Sequence, residues 1–254
     1  MQVTCPVSGE FSLKDHLYRP GLPFSSEELQ TMTHRGIMRH LIADVYTESV
    51  LTDSPELRAA GAHALLNPSL AETSILCGES AAWVHLGISA PERVSVIVGR
   101  HTIHQSSPLG VQVHRAALSD DEKQIYGPLC CTTALRTAGD LFCGIGVRHL
   151  RRALDLLLEG GSRVDRILQQ WPAAHEPLLG RDEDVVAIGA EDESTLHQRW
   201  YLISQLMRQT DASAEELADT VMRIVSRTSW DHRRRERIRQ LVNQCVSRRL
   251  PTVR

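Results

Sequence analysis

Ser74-Ile75-Leu76-Cys77-Gly78-Glu79-Ser80-Ala81-Ala82-Trp83-Val84-His85-Leu86-Gly87 decides the class of fold, because one run holds both kinds of secondary structure. Ser74–Cys77 is short and apolar, as a buried strand is. The helix predicted from about Glu79 to Leu86 follows Gly78 and is closed by Gly87, the residue type that most readily takes a helix-ending left-handed turn. On the N-terminal side, Asp53-Ser54-Pro55-Glu56 is a helix start with proline in the first turn. It predicts a helix through Leu66, stopped by Asn67-Pro68. On the C-terminal side, Arg93–Val98, Val111–Arg115 and Ile125–Cys131 are predicted strands, and Thr132–Phe142 a helix. Strands and helices mix without the strict alternation of a doubly wound sheet. The expectation is an α+β fold with a central α/β domain built on a small mixed sheet.

Further out, both flanks change character. A short helix is predicted at Ser12–Leu17, before Pro20-Gly21. Ser25-Ser26-Glu27-Glu28 is an N-cap with acidic first-turn residues; its helix stops at Gly36, and Ile37–Ser49 follows as a hairpin. A helix followed by a hairpin is the second half of a winged helix. After the central domain the pattern turns helical: Arg148–Glu159, Val164–Trp171, Thr195–Arg208, Ser213–Val225 with its capping box, and Asp231–Leu250. Gly180–Ser194, rich in Asp and Glu, reads as a linker. The expected organisation is a shortened winged-helix-like segment over residues 1–50, an α/β domain over 51–180, and an acidic linker with a helical basic tail over 181–254.

The 254 residues carry a net charge of -3, but unevenly. From Arg223 to Arg254 ten arginines face only Asp231 and Glu236, a net of +8, which leaves -11 on the rest. Such a tail is either a phosphate-binding arm or a solvated helix that docks on an acidic surface. No aromatic follows Trp230, which removes base stacking along the tail. No apolar run approaches the roughly 18 residues of a membrane span, and the start Met-Gln-Val-Thr-Cys-Pro has no signal-peptide pattern. The expectation is a cytoplasmic protein with no membrane partner. Six cysteines without a Cys-x-x-Cys pair give no disulfide framework and no zinc spacing.

Three constellations carry chemistry on paper. Gly78-Glu79-Ser80-Ala81-Ala82 imitates the strand-to-helix elbow of a serine hydrolase, but the regular sheet that strains such an elbow is missing, so Ser80 is expected to cap or begin a helix. His101-x-x-His104 with His114 has imidazoles for a metal, but no neighbouring carboxylate. The clusters Asp182-Glu183-Asp184 and Glu191-Asp192-Glu193 read as solvated linker charge. There is no Walker loop and no dinucleotide fingerprint. No catalytic residue, metal or cofactor is expected.

From about Phe24 to Trp171 the order of segments resembles the AbiEi family of antitoxins from type IV toxin–antitoxin systems. The matching pieces are Ile42-Ala43-Asp44-Val45-Tyr46, Leu51–Arg58, Cys77–Gly87, Val111–Arg115 and Gly127–Leu141. The resemblance implies a winged helix that binds operator DNA, a following α/β domain linked to neutralising a nucleotidyltransferase toxin, and no enzymatic activity. It also implies fold-organising roles for Ser80, Trp83, His85, Arg136 and Asp140. Two departures qualify it. Glu27 and Glu28 stand on the helix that would enter the groove, and residues 1–50 sum to -2. After residue 195 there is no lysine and no acidic strand to build the endonuclease-like domain of many relatives. The candidate DNA contacts are Arg35 and Arg39 on the first module, beside His34 and His40, and Arg233, Arg234, Arg235 and Arg237, with Arg239, on the tail. The alternative is a protein-interaction module that has lost DNA binding.

Overall fold

Two sheets organise the residues that the computed structural model describes, namely 13–21, 23–88, 90–99, 110–127, 129–147 and 190–247. The fold is α+β. In the first sheet, β1 (Leu17–Tyr18), β2 (Met38–Ile42) and β3 (Val45–Glu48) lie antiparallel in the order β1-β3-β2, and α1 (Ser26–His34) precedes the hairpin. The segment predicted to be a helix at Ser12–Leu17 is instead one tight turn of 3-10 helix, Leu13–His16, running into β1. Pairing with β3 wins: Leu17 and Tyr18 oppose Thr47 and Tyr46, and the Thr47 hydroxyl donates to the His16 carbonyl at 3.0 Å. So short a stretch has little helical stability of its own.

The second sheet has the order β6-β5-β4-β8-β7 and is mixed: β5–β6 and β4–β8 are parallel, β4–β5 and β7–β8 antiparallel. Its strands are β4 (Ile75–Leu76), β5 (Val94–Val98), β6 (Val111–Arg115), β7 (Lys123–Tyr126) and β8 (Leu129–Thr132). The single strand predicted at Ile125–Cys131 is therefore a hairpin, turning at Gly127 with φ +54°. Four further helices flank or follow these strands: α2 (Pro55–His63), α3 (Pro68–Thr73), α4 (Gly78–Leu86) and α5 (Ala134–Cys143). α2 stops at His63 rather than Leu66, and α3 is an addition to the predicted elements. Asn67-Pro68 is a start as well as a stop, since the Asn67 side chain accepts from the Leu70 N–H at 2.8 Å and caps α3.

The C-terminal helices are α6 (Ala190–Thr210), α7 (Ala214–Arg227) and α8 (His232–Ser247). α6 begins before the expected Thr195 and takes in Glu191, Asp192 and Glu193, which read as linker in the sequence; acidic residues suit a helix N-terminus. The predicted helices at 148–159 and 164–171, the cluster at 182–184, and His101 and His104 lie outside the described residues.

Two cores share the central sheet. Val94, Val96 and Val98 of β5 join Leu76, Leu129, Trp83, Val84, Leu57 and the hairpin residues Leu41, Ile42 and Val45. Ile97 points the other way, into a core of α5 (Ala138, Leu141, Phe142), α6 (Ile203, Leu206), α7 (Val221, Ile224) and α8 (Ile238, Leu241). A strand lined on both faces is why every residue of Val94–Val98 but Ser95 is apolar. Two glycines permit the joints. A Cβ at Gly61 in α2 would stand 2.6 Å from the Leu41 side chain, so the hairpin packs on a notch in α2. Gly78 has φ +55°, and a Cβ there would meet the Ile145 carbonyl oxygen at 2.4 Å; only glycine accommodates both demands.

Candidate functional site

The face α1 presents to its surroundings follows from its cap. The Ser25 hydroxyl accepts from the Glu28 N–H at 3.2 Å, and the Glu28 carboxylate accepts from the Ser25 N–H at 2.8 Å. Glu28, expected to repel a phosphate chain, thus also serves as half of a capping box. Leu29 is fully buried, while Glu27, Gln30, Thr31, His34 and Arg35 are exposed or half-buried on the other side. Arg35 is the C-cap residue of α1. Arg39, on β2, is partly spent within the protein: it donates to the Leu51 carbonyl at 3.4 Å and lies 3.8 Å from Asp53. Between β2 and β3 the hairpin turns at Ala43, φ +48°. The His40 ring contacts the Ala43 carbonyl and meets Tyr46 edge-on. Asp44 at the tip binds Arg19 at 2.7 Å, and Arg19 also donates to the Ala64 carbonyl, tying the hairpin tip to the end of α2.

The tail helix α8 is capped by Asp231, which accepts from the Arg234 N–H at 2.8 Å. Its arginines do not act alike. Arg233, Arg237 and Arg239 are exposed, and Arg239 lies 3.7 Å from Glu236. Arg234 lies 4.0 Å over the Trp230 ring and donates to the Cys143 carbonyl at 3.1 Å. Arg235 is half-buried. Arg234, one of the candidate DNA contacts, thus ties the helix to the last turn of α5 and stacks on an aromatic face.

The motif residues named from the resemblance are all buried. Ser80 is not a helix cap. The N-cap of α4 is Cys77, without a side-chain bond, and the Ser80 hydroxyl instead accepts from the Ser95 N–H at 2.8 Å and donates to the Arg93 carbonyl at 3.4 Å. It fastens α4 to the start of β5. His85 donates through Nε2 to the Thr132 carbonyl at 2.8 Å, and Nδ1 lies 3.2 Å from the Tyr126 hydroxyl. Burial lowers its pKa below the usual imidazole value, so the ring is neutral in that bridge. Trp83 fills the core between α4 and the sheet.

Arg136 and Asp140, one turn apart on α5, form the centre of a buried ionic cluster. Arg136 Nε donates to Asp140 Oδ1 at 2.9 Å, and Nη1 stands 3.3 Å from Glu122 Oε1. Glu122 accepts in turn from Arg227 of α7 at 2.9 Å and from the Ser119 hydroxyl at 2.9 Å. Burial raises the Asp140 pKa to about 6 even though Arg136 pulls it down. For Glu122 the arginines and Ser119 outweigh burial and hold the carboxyl below its usual range. Sequence reasoning misses three side chains here. Glu122 looks like the end of an exposed acidic run, Asp120-Asp121-Glu122, and only the spacing from Ser119 signals its cap. Arg227 carries no signal beyond its place at a helix end. Arg58 has a usable signal, since it interrupts the apolar run Leu57–Ala62 one turn after Asp53. It donates twice to the Val84 carbonyl, at 2.9 and 3.1 Å, and to Asp53 at 2.7 Å.

His114 of the sequence-derived histidine set accepts the Gly146 N–H on Nε2 at 3.1 Å, and burial lowers its pKa to about 4. Among the described residues no group of three His, Cys, Asp or Glu side chains is placed to hold a metal, and no helix is long and apolar enough to cross a membrane. No protein-family model matches the chain, and no curated protein matches it either.

Proposed function

We propose that the protein is an antitoxin-like transcriptional regulator of the AbiEi type, binding operator DNA and counteracting a nucleotidyltransferase-type toxin. The observation that carries this reading is the unit β1–α1–β2–β3. A strand, an exposed helix and a hairpin in the sheet order β1-β3-β2 make the groove-reading half of a winged helix. Gln30, Thr31, His34 and Arg35 on the outer side of α1 have the donors and acceptors that read base edges. Few cations accompany them, so phosphate contact falls to Arg233, Arg237 and Arg239 of α8 together with Arg35. The sequence resemblance and the segment order supply the antitoxin part of the reading.

The test is fluorescence anisotropy with a duplex taken from upstream of the protein's own reading frame, against a scrambled duplex of equal length. Preference for the upstream duplex is expected, lost in a Gln30→Ala/Arg35→Ala double variant. Equal affinity for both duplexes would overturn the operator assignment. A second reading, a protein-interaction module without DNA binding, is favoured by Glu27 on the outer side of α1 and by Ile37 and Val50, which are 53% and 86% exposed beside the hairpin. Rescue of cells from the neighbouring toxin by a protein that binds neither duplex would select it.

A further inference from the structure

α1 and α8 belong to opposite sides of β5. α1 lies against β2, and its hairpin packs through Leu41, Ile42 and Val45 into the core that Val94, Val96 and Val98 line. α8 packs through Ile238, Leu241 and Val242 into the core that Ile97 enters. Successive residues of a strand point to opposite faces, so the strand separates the two cores. Each helix turns its polar side away from the core it serves. α1 buries Leu29 and exposes Gln30, Thr31, His34 and Arg35. α8 buries Ile238 and exposes Arg233, Arg237 and Arg239.

A duplex seated on the outer side of α1 has the hairpin and the central sheet between it and the arginines of α8. Double-stranded DNA is a stiff rod at this scale, with a persistence length of about 150 base pairs. The phosphate contacts of α8 are then made to a different stretch of DNA from the one α1 reads. The chemistry of the α8 surface fits that use. Its exposed described side chains are His232, Arg233, Arg237, Arg239, Gln240 and Asn243, and none of them is apolar. A protein partner would need a buried apolar or aromatic anchor at the centre of its interface. Guanidinium groups bind phosphate without regard to base sequence, so the second stretch need not be an operator.

We propose that the protein joins two segments of DNA, one read by α1 and a second held through its phosphates by Arg233, Arg237 and Arg239 of α8. Binding at α1 brings the neighbouring DNA to a high effective concentration, so a weak second contact is enough. This rests on the regulator reading.

The test is capture of one duplex by another through the full-length protein. Beads carry the upstream duplex, and a labelled scrambled duplex of equal length is offered in solution at 50 mM salt. Wild type is expected to retain the labelled duplex on the beads. With one phosphate contact from each of the three arginines, the affinity for the second duplex should fall about fortyfold between 50 and 200 mM salt. Arg233→Gln/Arg237→Gln/Arg239→Gln, loaded to the same amount of bead-bound protein, is expected to capture at least tenfold less. A wild type that prefers the upstream duplex and captures no second one overturns the proposal and leaves the regulator reading in place. Equal capture by the triple variant also overturns it, because the second duplex is then held elsewhere, as by α1 of a second copy. A wild type with no preference for the upstream duplex removes the reading itself, and the two-segment proposal with it.

Discussion

Arg136 is charged and 2% exposed, and two carboxylates keep it so. Removing it strands Asp140 and Glu122, both buried, without their shared cation. Breaking a buried pair from one side costs about 3–5 kcal/mol, so Arg136→Ala should unfold at markedly lower urea concentration than wild type. An unchanged midpoint would mean the cluster does not organise the fold. The two carboxylates respond to pH in opposite senses. The folded-state pKa of Asp140, about 6 against an ordinary 3.8, is raised, so its contribution to stability is fully present below about pH 4 and lost as pH rises through 6. Glu122 is lowered from 4.5; its contribution is present above that value and lost as pH falls. Asp140→Asn removes only the first. The stability of wild type minus that of Asp140→Asn, from urea unfolding between pH 4 and 7, should therefore decline as pH rises, and a flat or rising difference contradicts the assignment. The i, i+4 spacing of Arg136 and Asp140 is legible in the sequence. Glu122 as the third member is not, because its cationic partners come from α5 and from α7, the latter about a hundred residues away in the chain.

At the scale of elements, α4 shows what periodicity leaves out. It is buried from Gly78 to His85 apart from Glu79, so no apolar stripe marks a face, yet glycines at both ends make its limits readable. The strand-to-helix junction is likewise visible, whereas the use of Ser80 is not. A serine early in a helix suggests a cap, but the Ser80 hydroxyl reaches β5, fifteen positions on in sequence, where it accepts the Ser95 N–H. Ser80→Ala leaves that buried N–H unsatisfied, and the cost should be about 1–3 kcal/mol, seen as a lower melting temperature. Covalent labelling of Ser80 by a fluorophosphonate would contradict a purely structural role. The hairpin β7–β8 and helix α3 escape a sequence reading for one reason: turn residues both end an element and start the next. Gly127 joins two strands, and Asn67-Pro68 stops α2 short while it caps α3.

Across the whole molecule, one core gathers the hairpin, α2, α4 and the sheet, and the other gathers α5 to α8 with Ile97. The basic excess of residues 223–254 is plain from a count of charges along the chain. The division of labour within it depends on which side chains meet the body of the protein, and spacing alone does not show that. Arg227 and Arg234 bind the body through Glu122 and Cys143, while Arg233, Arg237 and Arg239 are exposed. Cutting α8 away would also remove Ile238, Leu241 and Val242 from the second core, so the phosphate role has to be tested by charge and not by truncation. The most direct measurement is the salt dependence of binding to a short duplex, from 50 mM salt upward, for wild type and for Arg233→Gln/Arg237→Gln/Arg239→Gln. Each phosphate contact adds about 0.9 to the slope of log K against log salt. The triple variant should bind more weakly at 50 mM, with a slope shallower by about 2–3. An unchanged slope would contradict α8 as the phosphate-binding element, and no binding by wild type at 50 mM would contradict DNA binding altogether.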